Sequence, residues 1–229
     1  MCGRFAMDKS TDDLIQEFVA EGGDVRDWRP SYNIAPTDRV PVVRSRERGG
    51  TITRTVDSAT WGLRPMWAGE KAPAPINARL ESVATNGLFR HAFGSNRLIV
   101  PMNGYYEWEA RPEGKQPHFI QNNSLLAAAG LYEPRKQPDG SWSLTMTIIT
   151  REAKDASGEI HDRMPVFLTP DTYDQWLRPG QADTENLLAM LDRASLAMAA
   201  TMHTYPVSKR VNSVRDEEAK HDPALTEPL

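Results

Sequence analysis

The feature that most constrains the fold is a series of short apolar or β-branched runs separated by pairs of turn-forming residues. Three such pairs occur, at Gly49-Gly50, Asn122-Asn123 and Asp139-Gly140. Glycine and asparagine tolerate the positive φ angles that tight turns require, so each pair favours a reversal of chain direction. The runs beside them are residues 40–46, 51–56, 118–121, 125–131 and 144–150. The pattern predicts strands that pair mainly in antiparallel fashion.

The remaining elements are short as well. Further strands are predicted at residues 97–102, continuing or bending through 104–108, and at 166–168 and 202–207. Helices are predicted from Ser10 or Thr11 to about residue 20, and at 80–93, 170–176 and 184–193. Residues 24–36 are expected to form a loop, and residues 153–160 a loop or a short helix. The sequence therefore predicts an α+β fold: a single, barrel-like domain of curved, mainly antiparallel β-sheets flanked by short helices.

This domain is expected to span residues 1–215, and the polar, proline-containing tail at 216–229 is expected to fray. A chain of 229 residues buries about 70% of its unfolded surface, so it needs no covalent staples. The single cysteine, Cys2, excludes an internal disulfide framework and fits a reducing compartment. Acidic residues interrupt the N-terminus before a signal peptide could develop, and no apolar run reaches the ~18 residues of a membrane span. We therefore expect a cytoplasmic protein that does not enter membranes.

The net charge is −4, so the whole molecule has no general attraction to nucleic acid. Any nucleic-acid site must be a local basic patch. A metal site is not supported either, because one cysteine and scattered histidines lack ligand spacing. No glycine-rich nucleotide loop is present, and we expect no cofactor.

Cys2 follows the initiator methionine directly. Removal of Met1 would leave a cysteine with its α-amine and thiol on adjacent carbons. The amine, with an ordinary pKa of about 7.7–8.0, can condense with an aldehyde to an imine. The thiol, with an ordinary pKa of about 8.5, can then close a five-membered thiazolidine ring. From its position alone, however, Cys2 is better interpreted as an idle surface thiol.

Six short motifs change this interpretation. They are Cys2-Gly3-Arg4-Phe5, residues 32–37 (Tyr-Asn-Ile-Ala-Pro-Thr), residues 61–67 with two tryptophans, residues 76–79 (Ile-Asn-Ala-Arg), Pro101 followed by residues 104–108, and residues 161–166. In this order they resemble the motifs of the SOS response-associated peptidase family, the abasic-site processing proteins. The resemblance runs from Cys2 to about Asn212. Asn103 and Met66 depart modestly from the pattern.

The resemblance implies a DNA-damage function. Members of the family bind single-stranded DNA that contains an abasic site, whose ring-opened sugar exposes an aldehyde at C1′. The N-terminal cysteine captures this aldehyde as a thiazolidine and shields the lesion from strand cleavage. We expect the same of this chain, acting as a monomer and associating with the nucleoid at damage sites.

Four residues are predicted to be catalytic: Cys2, Asn77, Glu107 and His161. Glu107, between two aromatic residues, could orient the α-amine and move its proton. His161 could act as a general acid on the sugar ring oxygen and return a proton on reversal. Asn77 would hold the sugar hydroxyls or the N-terminus, although a turn-forming asparagine is an equal alternative.

A second set is predicted to contact DNA. Arginine forks suit phosphate oxygens, and exposed aromatic or thioether side chains can stack on bases. The predicted contacts are Gly3, Arg4, Asn33, Pro36, Thr37, Trp61, Met66, Trp67, Arg79, Thr150, Arg151 and Arg163. Arg64 and Arg151 are weaker candidates, and Pro36, Thr37 and Thr150 would be minor contacts. For Trp61 a place in the core is the stronger alternative.

Two other functions stay open at the sequence level. Cys2, His161 and Asn77 or Glu107 could form a nucleophile, base and orienting group of a cysteine peptidase or self-processing enzyme. The chain could also be a reversible single-strand-binding module without a covalent step. Because only Met1 precedes Cys2, self-cleavage would have little to remove.

Overall fold

The computed structural model describes residues 2–20, 25, 28–69, 71–154 and 156–229. This part of the chain contains twelve strands, with helices placed between some of them. The strands are β1 (Phe5–Met7), β2 (Ser31–Ile34), β3 (Arg39–Arg48), β4 (Thr51–Trp61), β5 (Asn77–Arg79), β6 (Arg97–Met102), β7 (Gly104–Arg111), β8 (Gly114–Gln121), β9 (Leu126–Lys136), β10 (Trp142–Glu152), β11 (Arg163–Pro165) and β12 (His203–Pro206).

Five of these strands close a barrel. In the order β10-β4-β3-β6-β9, each strand pairs with the next, and β9 pairs again with β10. The β3–β4 hairpin turns at Gly49 and Gly50, which both have positive φ, as the sequence predicted. Strand β10 also pairs in parallel with β4 and β5, and β11 extends the sheet at its edge. The predicted class, an α+β fold of curved and mainly antiparallel sheets, is confirmed.

A second sheet, in the order β12-β8-β7-β1-β2, carries the start of the chain on an internal strand, between β7 and β2. Alternate residues of its strands face opposite sides, as the pleat requires. Phe5 and Tyr105 join the main core, whereas Ala6 and Tyr106 join a smaller second core. The sheet is therefore packed on both faces, and β1 is fixed by both cores although it has three residues.

The C-terminal segment forms part of that second core. Residues 216–229, which the sequence predicted to fray, contain a helical turn and a 3₁₀ turn, and Leu225 is fully buried. The Tyr106 hydroxyl lies 3.4 Å from the Leu225 carbonyl oxygen, and the Tyr205 hydroxyl donates to the Thr226 carbonyl. The prediction was wrong because one leucine and several backbone acceptors tie a mostly polar segment to β7 and β12.

The α-helices are α1 (Thr11–Glu17), α2 (Arg90–Ser95), α3 (Tyr173–Leu177), α4 (Thr184–Ala199) and α5 (Glu217–Lys220). Ser10 caps α1 in a reciprocal capping box with Asp13, as expected for an acidic first turn. The helix predicted at 80–93 is wrong: turns occupy most of it. The Asn86 side chain accepts from the Leu88 N–H and competes with helical hydrogen bonding. Helix α4 extends past its predicted end at residue 193.

Three other predictions need correction. The loop predicted at residues 24–36 contains β2, although residues 24, 26 and 27 lie outside the described part. The strands on either side of Asn122-Asn123 exist but belong to different sheets, so they do not form a hairpin. The strand predicted at 166–168 is shifted, because β11 ends at Pro165 and Phe167 makes a single bridge to Ala128.

Candidate active site

The first residue of the site is Cys2, and Asn77 holds it. Strand β5 pairs in parallel with β10, with Asn77 opposite Ile148, and this pairing brings Asn77 to the start of the chain. The Asn77 Nδ2 group donates to the Cys2 carbonyl oxygen at 3.0 Å. The Cys2 side chain is fully buried. Asn77 thus lies in a strand rather than in a turn, and its amide contacts the N-terminal segment; a contact with the sugar hydroxyls stays a prediction.

Glu107 lies on β7, next to the strand that follows Cys2. The Tyr106 N–H donates to the Arg4 carbonyl at 3.0 Å, so the two strands stay paired up to the site. Glu107 is buried, with 3% of its surface exposed. It nevertheless lines a cleft of about 440 Å³, whose walls are formed by Arg4, Glu107, Trp108, Lys115, His161 and Asn212. The cleft therefore brings two predicted catalytic residues, Glu107 and His161, together with Arg4.

His161 is positioned by a 3₁₀ turn at Ala156–Glu159. The backbone N–H of His161 donates to the Ser157 carbonyl, and the Tyr105 hydroxyl donates to the Ser157 side chain at 3.0 Å. The backbone N–H of Arg163 lies 3.0 Å from His161 Nδ1 and donates to it. Nδ1 is therefore an acceptor, and the proton of the neutral imidazole lies on Nε2.

Partial burial lowers the pKa of His161 below its ordinary value of 6.5. The Asp162 carboxylate, 3.0 Å from the same Nδ1 atom, opposes this shift and would favour a protonated ring. Because burial is the larger cause, the neutral form dominates near pH 7. The imidazole can then donate a hydrogen bond from Nε2, and it becomes a stronger acid only at lower pH.

The Arg4 side chain is held by residues of β2 and of the 3₁₀ turn at Lys209–Asn212. Its Nη1 group donates to Asn33 Oδ1 and to the Val211 carbonyl, both at 2.7 Å. The Trp108 ring lies beside the guanidinium, 5.4 Å from its carbon, and Trp108 Nε1 donates to Asn212 Oδ1 at 2.7 Å. Burial lowers the pKa of Arg4, but a guanidinium stays charged. Arg4 thus presents a fixed positive charge at the cleft.

Three of these wall residues were missed at the sequence level. Trp108 belongs to the motif at residues 104–108, next to the predicted catalytic Glu107, but the sequence predicted no role for it. Lys115 and Asn212 gave no signal, because they reach the cleft through the β7–β8 hairpin and the 3₁₀ turn at Lys209–Asn212. Asn33, a predicted DNA contact, is instead buried behind Arg4 and donates to the Val211 and Ser213 carbonyls.

The other predicted arginines gather on the edge formed by β5, β10 and β11. Arg79 is exposed and lies opposite Thr150 in the β5–β10 register. Arg151 pairs with Asp192 at 2.9 Å. Arg163 makes two bonds to the Glu81 carboxylate and donates to the carbonyl of Thr150, which is itself buried. Although burial opposes it, the bond from Arg163 lowers the pKa of Glu81, which is therefore ionised at neutral pH.

The side chains predicted to stack on bases, two tryptophans and one methionine, divide into two groups. Met66 and Trp67 are 59% and 77% exposed, so they are available to contact bases. Trp61 is fully buried, donates to the Ile76 carbonyl at 2.9 Å and packs edge-on against Phe5. This placement removes Trp61 from the set of stacking residues, because its ring faces the core.

The minor candidates lie at the loop after β2 and at the start of the chain. Pro36 is half-buried, whereas Thr37 is exposed with a φ of 77° and donates its N–H to the Trp61 carbonyl. Gly3 and Arg64 are half-buried. Among the described residues no group of three His, Cys, Asp or Glu side chains is placed to hold a metal ion. In the same part of the chain, no helix has the length and apolarity to cross a membrane.

Comparison with known proteins gives a consistent result. A family model described as SOS response associated peptidase (SRAP) matches residues 1–214. The chain is 35% identical over 226 residues to the abasic site processing protein YoqW of Bacillus subtilis, covering 94% of this chain and 96% of that one. It is 27% identical to the abasic site processing protein YedK of Escherichia coli, covering 96% and 98% of the two chains.

The likeness extends to a vertebrate protein and to a solved structure. The abasic site processing protein HMCES of Xenopus tropicalis is 27% identical, covering 94% of this chain and 76% of its own length. The crystal structure of a protein from Bacteroides thetaiotaomicron superimposes with a TM-score of 0.78 at 20% identity, over the full length of both chains. At this identity the structural likeness supports the fold alone.

Proposed function

Since the chain belongs to the SOS response associated peptidase family, we propose that it recognises abasic sites in single-stranded DNA and captures them covalently. Its relatives in bacteria and vertebrates carry the name abasic site processing protein. The covalent step is inferred from the chemistry of Cys2 and from the groups around it.

The reaction begins with removal of Met1, which leaves the α-amine on Cys2. The amine adds to the C1′ aldehyde of the ring-opened sugar, and loss of one water gives an imine. The thiol then adds to the imine carbon while its proton passes to the nitrogen, and the thiazolidine ring closes. No oxidant, reductant or metal is needed for this sequence.

The observation that carries the proposal is the 3.0 Å hydrogen bond from Asn77 Nδ2 to the Cys2 carbonyl. A chain terminus normally frays, and a frayed amine would react no faster than a free amino acid. Here the terminal residue is fixed two positions before Arg4, which lines the cleft with Glu107 and His161. Such positioning can lower the barrier of a two-component reaction by several kcal/mol, up to ~7–11.

Each group then has a role. Glu107, buried at the cleft, would orient the amine and carry its proton during imine formation. His161 would donate from Nε2 to the sugar ring oxygen as the ring opens. Arg4, together with Arg79, would contact phosphates on either side of the lesion, while Met66 and Trp67 would pack against the neighbouring bases.

The test is a crosslinking assay with a single-stranded oligonucleotide that carries one abasic site. Intact mass should show a protein without Met1 and, after incubation, a one-to-one adduct lighter than the sum of its parts by one water. A Cys2→Ser variant can form the imine but not the thiazolidine, so its adduct should survive heating only after borohydride reduction. Active protein that retains Met1, or a heat-stable adduct of Cys2→Ser without reduction, would contradict the proposal.

The same preparation separates the alternatives. A reversible single-strand-binding module would give a shifted band that disappears on heating for the parent protein as well. A peptidase would turn over peptide substrates, and Cys2→Ala would abolish that turnover. The matched control for the crosslinking and band-shift experiments is an oligonucleotide of the same sequence with an intact base, which offers no aldehyde.

A further inference from the structure

On the edge formed by β5, β10 and β11, a carboxylate covers the guanidinium of one of the three arginines. Glu81 lies in the turn that follows β5 and grips Arg163 with both oxygens, at 2.7 Å to Nη1 and 3.0 Å to Nη2. The Glu81 side chain is 53% exposed, whereas that of Arg163 is 12% exposed. The acidic residue is thus far more accessible to solvent than the arginine it holds, and a phosphate approaching from solvent would compete with it.

A planar carboxylate and a phosphate use the same two-pronged geometry on a guanidinium. Glu81 therefore occupies the fork of Arg163 in the way that a DNA phosphate would. The neighbouring Arg151 is also paired, to Asp192 at 2.9 Å. The edge carries three arginines, but two of them are neutralised by carboxylates of the chain itself.

We propose that Glu81 is a specificity-determining residue that competes with the DNA backbone for Arg163 and so weakens the binding of undamaged single strands. This inference rests on the proposed function, because it assumes that this edge faces DNA. With Arg163 occupied, non-covalent binding stays weak, and a strand is retained mainly when its aldehyde reacts with Cys2. Glu81 thus increases the difference between damaged and undamaged strands.

Arg163 does not need Glu81 to stay in place. Its Nη2 group donates to the Thr150 carbonyl at 2.7 Å, and its strand pairs with β10 opposite Glu152. Removal of the Glu81 charge therefore leaves an ordered guanidinium with Nη1 available to a phosphate. Glu81 Oε1 also accepts a hydrogen bond from the Glu152 N–H at 3.3 Å. If Glu81 served only to hold this edge together, its replacement would loosen the edge and weaken DNA binding.

The experiment measures the affinity of the full chain for an undamaged single-stranded oligonucleotide by fluorescence anisotropy over a range of salt concentrations. Glu81→Gln should bind about three- to tenfold more tightly than the parent, and the slope of log affinity against log salt should steepen by about one phosphate contact. Glu47→Gln, an equal charge change at an exposed residue of the β3–β4 hairpin, is the matched control and should have a much smaller effect.

A double variant, Glu81→Gln with Arg163→Gln, should lose the gain because the phosphate acceptor site is gone. The inference is overturned if Glu81→Gln binds undamaged strands no more tightly than the parent, or if Glu47→Gln gives the same gain. It is also overturned if the double variant keeps the gain.

The two proposals can fail separately. If the parent forms no covalent adduct yet Glu81→Gln gains affinity through Arg163, the covalent function fails and the role of Glu81 stands. If the parent forms the adduct normally and Glu81→Gln changes neither affinity nor salt slope, the role of Glu81 fails alone. Where both hold, the ratio of retained abasic to undamaged strand should fall in Glu81→Gln.

Discussion

Replacement of Asn77 by alanine tests whether the chain start is held in place for reaction. The Asn77 amide donates to the Cys2 carbonyl at 3.0 Å, and Cys2 is fully buried. Without the amide, this carbonyl loses a donor at a place where the surrounding protein leaves little access for water. Leaving a buried acceptor unsatisfied costs about 1–3 kcal/mol.

If the variant avoids this cost by releasing Cys2 from its position, the fraction of molecules with Cys2 in place falls by roughly 5- to 150-fold, because about 1.4 kcal/mol is a factor of ten. The single-turnover crosslinking rate of Asn77→Ala should fall by a factor in this range. The melting temperature should fall as well, by about 2–4 °C per kcal/mol for a domain of this size. Affinity for undamaged single strands should change little, because the amide faces Cys2.

The assay follows adduct formation on denaturing gels with protein in excess of DNA and well above the dissociation constant. Asn186→Ala is the matched control: it removes an amide that binds Asp183 at the start of α4, outside the cleft. A crosslinking rate within twofold of the parent would refute the positioning argument. A loss of DNA affinity that accounts for the whole decrease in rate would refute it too, and would make Asn77 a DNA contact.

Two further predictions concern a proton and a buried charge. Because partial burial lowers the pKa of His161 below 6.5, its protonated form gains population only as the pH falls through that lowered value. The rate of adduct reversal, measured by release of labelled DNA, should therefore rise as the pH falls below about 6.5 and then level off. The His161→Gln variant should lack this rise. Parallel pH profiles for the two proteins would contradict the role of His161 as proton donor. Arg97, which is 4% exposed, donates to the carbonyls of Trp176 and Phe93. Arg97→Met should thus destabilise the fold by about 3 kcal/mol or more, measured by denaturant unfolding, and a change below ~1 kcal/mol would show that the carbonyls find other donors.

The barrel could be predicted from sequence because its signals are local. The Gly49-Gly50 pair sets one hairpin and Asp139-Gly140 sets another, and each acts over a few residues. The parallel contacts of β10 with β4 and β5, and the pairing of β6 with β9, have no such local signal. They follow from which apolar faces pack together, a property of the whole chain.

The same distinction applies to the site. Cys2, Glu107 and His161 could be proposed because each belongs to a residue type with suitable chemistry in a recognisable motif. The support of Arg4 by the Val211 carbonyl and of Trp108 by Asn212 could not, because these contacts join residues 207 and 104 positions apart and the first uses a backbone carbonyl. A place in the core was the stronger alternative for Trp61, but only the structure decides it, since an aromatic residue in a motif can face the core or a base.

The burial of Trp61 also bears on how the chain start can react. A terminal amine must be ordered to benefit from the cleft, and ordering a terminus costs about 1–2 kcal/mol per residue in backbone entropy. The three residues of β1 are fully buried on a strand that is paired on both sides, and Phe5 packs on Trp61 with ring centroids 5.1 Å apart. Burial of one phenylalanine contributes about 1.5–3 kcal/mol, enough to offset the ordering of one or two residues. Under the proposed function, Trp61 would thus support the chemistry without touching DNA, because the surface it gives to Phe5 helps to hold Cys2 against Asn77.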